Sequence, residues 1–198
     1  MSAYKFAMKD VNDNETIFDC FVTAYVCKAV NKNGTRCKRT TTIGSPYCYT
    51  HLLYKKHIKI KPSTIPNAGK GVFAVDPKRA PGTIIFRNGD VIIPYASELI
   101  TTEDRANRYG PYTAPYAVQL SNQYARDGAC DRGIGSLINH RPQPGQQNVE
   151  FAVNNRTREV NIKAIKNIRN GEELFASYGP GYNFNDNTTH TTKMAKRE

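Results

Sequence analysis

Downstream of residue 70 the chain breaks into short runs in which β-branched and aromatic residues gather between turn signals, a pattern of strands rather than of amphipathic helices. Those runs are GVFAV (71–75), TIIF (83–86), DVIIP (90–94), PYAVQL (115–120), NVEFAV (148–153) and REVNI (158–162). They predict a mostly β (α+β) body. SELITTEDRA (97–106), with Glu98, Glu103 and Asp104 among helix-tolerant neighbours, is the best helix segment, although its apolar periodicity is modest. The prolines and glycines of KPSTIPNAGKG (61–71) mark a turn or linker, so a second unit begins near residue 60. The polar end NDNTTHTTKMAKRE (185–198) predicts a frayed tail, and no internal repeat is visible.

With 198 residues, 39% hydrophobic and 23% charged, the chain has apolar material for one domain core and a small satellite module, not for a multi-domain machine. No run of 18 uncharged apolar residues occurs, and the opening MSAYKFAMKDVNDNET lacks an apolar h-region. Neither a membrane span nor a secretory leader is therefore expected.

Charge changes the picture more than composition does. The net charge is +11, and residues 20–61 hold Lys28, Lys32, Arg36, Lys38, Arg39, Lys55, Lys56, Lys59 and Lys61 with no Asp or Glu among them. Such a cluster attracts polyanions, nucleic acid or acidic protein surfaces, in a salt-sensitive way. On charge alone a solvated cationic face explains it equally well.

The same stretch holds four of the five cysteines, Cys20, Cys27, Cys37 and Cys48, while Cys130 stands far downstream. An odd count without a leader argues against a disulfide framework. Cys27, Cys37, Cys48 and His51 are separated by nine, ten and two residues, a Cys3His set with a turn at Asn33-Gly34. Zinc takes four N or S ligands in a tetrahedron, and the close Cys48/His51 pair supplies one edge of it. Cys20 is a substitute ligand from outside the compact run, and small buried thiols in a reduced protein are the plain alternative. The chain thus divides into an N-terminal segment (1–19), a basic zinc module (20–57), a strand-rich body (58–184) and a flexible tail (185–198).

Three motifs stand apart in the body. The first is Gly69-Lys70-Gly71 leading into Val72-Phe73-Ala74; it is no P-loop, because Thr64 replaces the first glycine and Gly71 follows the lysine. The second is GIGSLINH (133–140) and the third GEELFASYG (171–179), followed by Pro180-Gly181-Tyr182. Taken singly, Asn139-His140 reads as a satisfied polar pair and Tyr178 as a core aromatic. In this order and spacing the three resemble the SET domain of protein lysine methyltransferases, over about residues 58–184. In their compact form they look most like the small SET proteins of large DNA viruses.

The resemblance implies small β-sheets in a pseudoknot, S-adenosylmethionine as cofactor, and in-line methyl transfer to a lysine amine. That amine must be neutral and aligned, which burial in a narrow aromatic channel achieves. It implies Tyr178 as the hydroxyl at the transfer site, with Tyr116 and Tyr182 as channel walls. Gly69, Lys70, Gly71 and Phe73 would present main-chain groups to the cofactor, while Asn139 and His140 hold its amino-acid and adenine ends. Nothing after Tyr178 is a cysteine, so Tyr182 and Phe184 are the lid in place of a zinc segment; otherwise the N-terminal module or a second subunit of a homodimer closes the channel. The chain departs from the common pattern at Arg141, at Ser177 and in the longer Pro142–Gln147 stretch. A histone tail is the default substrate, with nucleosome or nucleic-acid docking through residues 28–61. Nuclear or intracellular residence follows from that substrate, in a host nucleus if the source is viral. A non-catalytic SET-like chromatin or nucleic-acid binding protein is the alternative.

Overall fold

A computed structural model describes residues 2–9, 12–184 and 189–194, with side chains described from Tyr4 to Phe184. The chain opens with an antiparallel hairpin, β1 (Ser2–Lys9) and β2 (Glu15–Val22), in register at Phe6 and Phe18. Alternate side chains of a strand share a face. Here that places Phe6, Met8 and Cys20 against Tyr109, Ala114 and Ala129, in an apolar cluster beside the main core. The other edge of β1 pairs antiparallel with Thr189–Met194. Part of the segment expected to fray is therefore a strand, because β1 supplies partners for its backbone.

The hairpin is also tied covalently. Cys20 and Cys130 form a disulfide across 110 residues, with Cα atoms 5.0 Å apart. This corrects two expectations: a disulfide exists, and Cys20 is no substitute metal ligand. The inward phase of β2 explains both, since it turns Cys20 towards Cys130 and away from the other cysteines. Cys20 also lies inside β2, so the division placed between residues 19 and 20 cuts a strand.

The basic segment holds β3 (Tyr25–Val26), β4 (Thr40–Thr41) and α1 (Tyr49–Lys56). Between β3 and β4 the chain turns at Asn33-Gly34, where Asn31 and Thr35 share a backbone bond and Gly34 takes φ +80°. Helix α1 buries Leu52 and ends at His57, whose left-handed backbone sends its N–H to the Leu53 carbonyl. From there β5 (Ile58–Pro62) pairs antiparallel with β6 (Lys70–Ala74), so KPSTIPNAGKG contains a hairpin turn.

The body continues through β7 (Ile84–Phe86), β8 (Val91–Pro94), β9 (Glu98–Thr101), α2 (Thr102–Tyr109), β10 (Ala117–Gln119) and β11 (Tyr124–Asp127). A 3-10 turn at Ile134–Leu137 leads to β12 (Asn139–His140), β13 (Val149–Asn154), β14 (Glu159–Ala164), β15 (Ile168–Arg169), β16 (Phe175–Ala176) and β17 (Thr189–Met194). These make small sheets, β13-β14-β8, β10-β11-β9, β5-β6 and β15-β7, around a core that includes Val72, Ile93, Val149, Ile162, Ile168 and Leu174. All six expected strand runs are strands. SELITTEDRA is half strand: the helix starts only at Thr102, because Thr101 and Asp104 close a reciprocal capping box there. Arg108 of α2 pairs with Asp127 at 2.9 Å and with Glu98, and Tyr109 donates to the same Asp127, which has no exposed surface. A buried carboxylate needs such partners.

The remaining pairing is parallel, β12 with β16, Asn139 opposite Phe175. The Asn-His segment lies alongside the C-terminal motif, as the implied pseudoknot requires.

Closing a loop of 110 residues restricts the unfolded chain, worth up to about 4–5 kcal/mol in the chain-entropy account. Reductant, or Cys20→Ala with Cys130→Ala, should lower the urea midpoint accordingly. Identical melts with and without reductant would contradict the covalent tie.

Candidate active site

The three separated motifs meet on one stretch of backbone, residues 171–176. On one side it runs against β6: the Gly171 and Leu174 N–H groups donate to Ala74 and Val72, and Ala74 donates to Glu172. On the other side Phe175 and Ala176 pair with Asn139 and His140. Buried Asn148 clips the stretch like a strand, donating Nδ2–H to the Glu173 carbonyl and accepting the Phe175 N–H. The strand pattern of the sequence follows directly from these bonds, since each segment is too short to hold its backbone partners alone.

Glu173 is the hub. Its carboxylate accepts from the Ser63 hydroxyl at 2.7 Å, the Thr64 N–H at 2.7 Å, the Thr64 hydroxyl at 2.6 Å and Asn139 Nδ2 at 3.2 Å. Burial opposes its charge, but the bonds from Thr64, Ser63 and Asn139 outweigh that and hold its pKa below the ordinary value. Gly71 faces this carboxylate: a Cβ there would come within 2.0 Å of Glu173 Oε1. The glycine therefore makes room for the hub itself.

A cavity of about 480 Å³ opens beyond β12, walled by Tyr95, Tyr116, Ile138, Phe151, Tyr178 and Tyr182. The Tyr95 ring seats on Gly135, where a Cβ would come within 2.5 Å of it, and its hydroxyl donates to the Tyr116 carbonyl at 2.7 Å. Tyr178 donates its hydroxyl to the Ile138 carbonyl at 2.9 Å, which leaves the oxygen lone pairs as acceptors. Burial pushes the pKa of Tyr95, Tyr116 and Tyr178 upwards, so these hydroxyls stay neutral. The wall is mainly aromatic, but Arg105 also lines it and the Arg132 guanidinium lies 4.5 Å over the Tyr116 ring; an aliphatic stem with a polar tip suits such a lining, which carries the Tyr178 hydroxyl.

Comparison with known proteins agrees with this layout. Residues 69–179, more than half of the chain, match the SET domain family. The chain belongs to the SET-domain family. It is 25% identical over 130 residues to the histone-lysine N-methyltransferase, H3 lysine-37 specific, of Schizosaccharomyces pombe, covering 66% of this chain and 80% of that protein. Among solved structures it resembles a chain of the Chaetomium thermophilum polycomb repressive complex 2 at TM-score 0.50 and 25% identity, and one of apo ctPRC2 in an autoinhibited state at TM-score 0.50 and 26% identity. These cover 68% and 66% of this chain but only 17% and 16% of those chains.

Within this SET domain Gly69, Lys70, Gly71, Asn139 and His140, expected at the cofactor, lie along one rim. Asn139 Nδ2 also donates to the Lys70 carbonyl at 3.1 Å, joining the Gly69-Lys70-Gly71 turn to the Asn-His strand. Gly69, at φ +70°, faces open space. His140 accepts the Tyr178 N–H on Nδ1 at 3.0 Å, and its ring lies 5.1 Å from Tyr178 and 5.2 Å from Phe184. Main-chain groups, an amide and an imidazole beside open space are a donor set that fits S-adenosylmethionine. Phe73 does not reach this rim: it is buried, registered with Lys59 on one side and bridged to Glu173 on the other. The aromatics of the expected lid are together, Tyr182 4.8 Å from Tyr178 and 4.7 Å from Phe184. Asn183 donates to Thr113 at 3.2 Å, tying this segment to the far wall of the channel.

The Cys3His set is also assembled. One ligand atom from each of Cys27, Cys37, Cys48 and His51 lies within 4.8 Å of every other. His51 Nδ1 is 3.5 Å from Cys27 Sγ and 3.4 Å from Cys48 Sγ, about the edge length of a tetrahedron with zinc-ligand bonds near 2.0–2.3 Å. Burial opposes the Cys48 thiolate, yet hydrogen bonds from His51, Cys27 and Cys37 bring its pKa down to about 6. The donor chemistry fits zinc.

Of the departures, only Ser177 lies in the cavity wall. Arg141 places its guanidinium 4.7 Å over the Phe175 ring and does not line the cavity, whereas Ser177 does line it and accepts the Gly179 N–H. Sequence reasoning missed Glu173, Tyr95 and Phe151. The GEEL motif contained the signal for Glu173; nothing in the local pattern distinguished Tyr95 or Phe151 from core aromatics.

Burial holds His140 below its ordinary pKa of 6.5 although a backbone bond to Ala176 opposes this, so the neutral ring is the folded form. His140 then adds stability above its ordinary range, and that part is lost as pH falls through its lowered folded value. NMR titration should place the His140 midpoint below 6.5; a midpoint at or above 6.5 would contradict its role as acceptor for Tyr178.

Proposed function

We propose that the chain methylates a lysine side chain of a histone tail, with S-adenosylmethionine as cofactor and a zinc-held N-terminal module. The observation that carries the reading is the Tyr178 hydroxyl, fixed on the Ile138 carbonyl in a cavity lined mainly by aromatics, one residue from the Asn139-His140 rim. S-adenosylmethionine bound at that rim supplies an electrophilic methyl group. Gly69, Lys70 and Gly71 offer it main-chain groups, and Asn139 and His140 bind its polar ends.

The chain's own residues do the rest. Tyr95, Tyr116, Phe151 and Tyr178 surround the lysine stem and strip it of water, which lowers the amine pKa towards the neutral nucleophile. Tyr178 accepts an amine N–H on its free lone pairs and aligns the nitrogen. Tyr182 and Phe184 cover the site where other members use a cysteine-rich segment. Alignment in a closed channel is where proximity supplies its rate factor. The histone choice is supported by the Schizosaccharomyces pombe relative, named as specific for H3 lysine 37, and a histone substrate implies work in the nucleus. Cys27, Cys37, Cys48 and His51 hold zinc, and the surrounding lysines and arginines dock on a nucleosome.

Incubation with labelled cofactor and histone H3 tests this. The wild-type chain should label H3, and Tyr178→Phe should stay folded and keep its cofactor affinity while losing roughly 10- to 100-fold in rate, the worth of one well-placed hydrogen bond. No cofactor binding by the wild type would favour a non-catalytic chromatin-binding protein instead. Unaltered rate and product in Tyr178→Phe would remove that hydroxyl from the mechanism.

A further inference from the structure

The basic stretch does not spread its charge evenly over a surface. Lys32, Arg36, Lys38, Arg39 and Lys55 line one open groove of about 850 Å³, and Lys78 from the segment after β6 joins them. No Asp or Glu lines it. Among the described residues none of these six cations forms an ion pair. Arg39 is aimed along α1 by a bond to the Thr50 hydroxyl. Unpaired like charges held together repel one another, so their convergence costs stability unless a polyanion neutralises them.

The groove is more than a charge. Tyr54, 50% exposed, lines it on the same side of α1 as Thr50, together with the exposed Val30. Cys37 and His51 form part of its wall, so the metal set fixes its shape. An acidic peptide would satisfy the cations and leave the aromatic ring idle. A duplex would present phosphates but keep its base faces stacked inside. A single strand offers both a phosphate every nucleotide and exposed base faces to stack on tyrosine.

We infer that this groove binds single-stranded nucleic acid, with phosphates on Lys32, Arg36, Lys38, Lys55 and Lys78 and a base stacked on Tyr54. Because Lys78 belongs to the body, the bound strand bridges the zinc module and the SET domain. The inference goes beyond the nucleosome docking given above, since it has these cations take a single strand in preference to the duplex a nucleosome offers, and it rests on the zinc-held module.

Fluorescence anisotropy on the full chain, with zinc content measured in each preparation, tests it. The probes are labelled poly-U and poly-dT strands, a duplex of equal length and polyglutamate. The single strands should bind tightest. Tyr54→Ala should weaken them about 5- to 100-fold, the usual worth of a stacked base. The combined Lys32→Gln, Arg36→Gln, Lys38→Gln and Lys55→Gln variant should flatten the salt slope by about 2.8, near 0.7 per phosphate contact. Arg156→Gln with Lys163→Gln, on the β13–β14 hairpin, should change neither. Duplex or polyglutamate bound as tightly as single strand, or an unaltered Tyr54→Ala in zinc-loaded protein, would overturn the inference. Zinc missing from the wild-type chain would overturn the metal reading and the groove with it.

Discussion

A buried carboxylate that four donors converge on sets the arrangement of this protein. Glu173 takes two donors on each oxygen, from Ser63, Thr64 and Asn139, and so holds the turn before β6, the Asn-His strand and the C-terminal motif in one place. Hydrogen bonds to a charged acceptor are stronger than neutral ones, and an unmatched donor left behind is costly. The hub therefore has little tolerance for substitution by an amide, which would turn a donor towards donors. It also explains Gly71, since the carboxylate occupies the space a side chain would need.

What the hub aligns is a division of labour between two faces. On one, main-chain groups, Asn139 and His140 make a polar rim; on the other, aromatic rings wall a channel that Arg105 also lines. Tyr178 touches both, giving its N–H to His140 and its hydroxyl to Ile138. The phenols and the imidazole at this junction are neutral, and the charge beside them is that of Arg105 in the cavity wall and of Arg132 over the Tyr116 ring. The disulfide-tied hairpin stands behind the channel wall, with Phe6 6.2 Å from Tyr116 in an edge-to-face contact.

Much of this was legible in the sequence where local chemistry governs. The six strand runs, the Asn33-Gly34 turn and the Cys3His set all fall where residue type and short spacing placed them. Phase and partnership were less legible. SELITTEDRA looked helical throughout because its first residues tolerate helix, yet Thr101 caps the helix and Glu98–Thr101 joins β11. The 185–198 segment looked unpartnered because β1, far away in sequence, is its partner. Cys20 and Cys130 lie 110 residues apart, and no spacing rule links such a pair. Motif order singled out the three segments that meet, but the placement of Glu173, Tyr95 and Phe151 depends on what faces them across the fold.

The most direct test of the central claim is a Glu173→Gln variant, followed by calorimetric titration with S-adenosylmethionine and by zinc analysis. Two donors would then face an NH2 group, at a cost of about 3 kcal/mol. The account predicts a lowered melting temperature, S-adenosylmethionine affinity reduced at least tenfold and unchanged zinc content, because the metal set is built elsewhere. Wild-type affinity and stability in Glu173→Gln would contradict it.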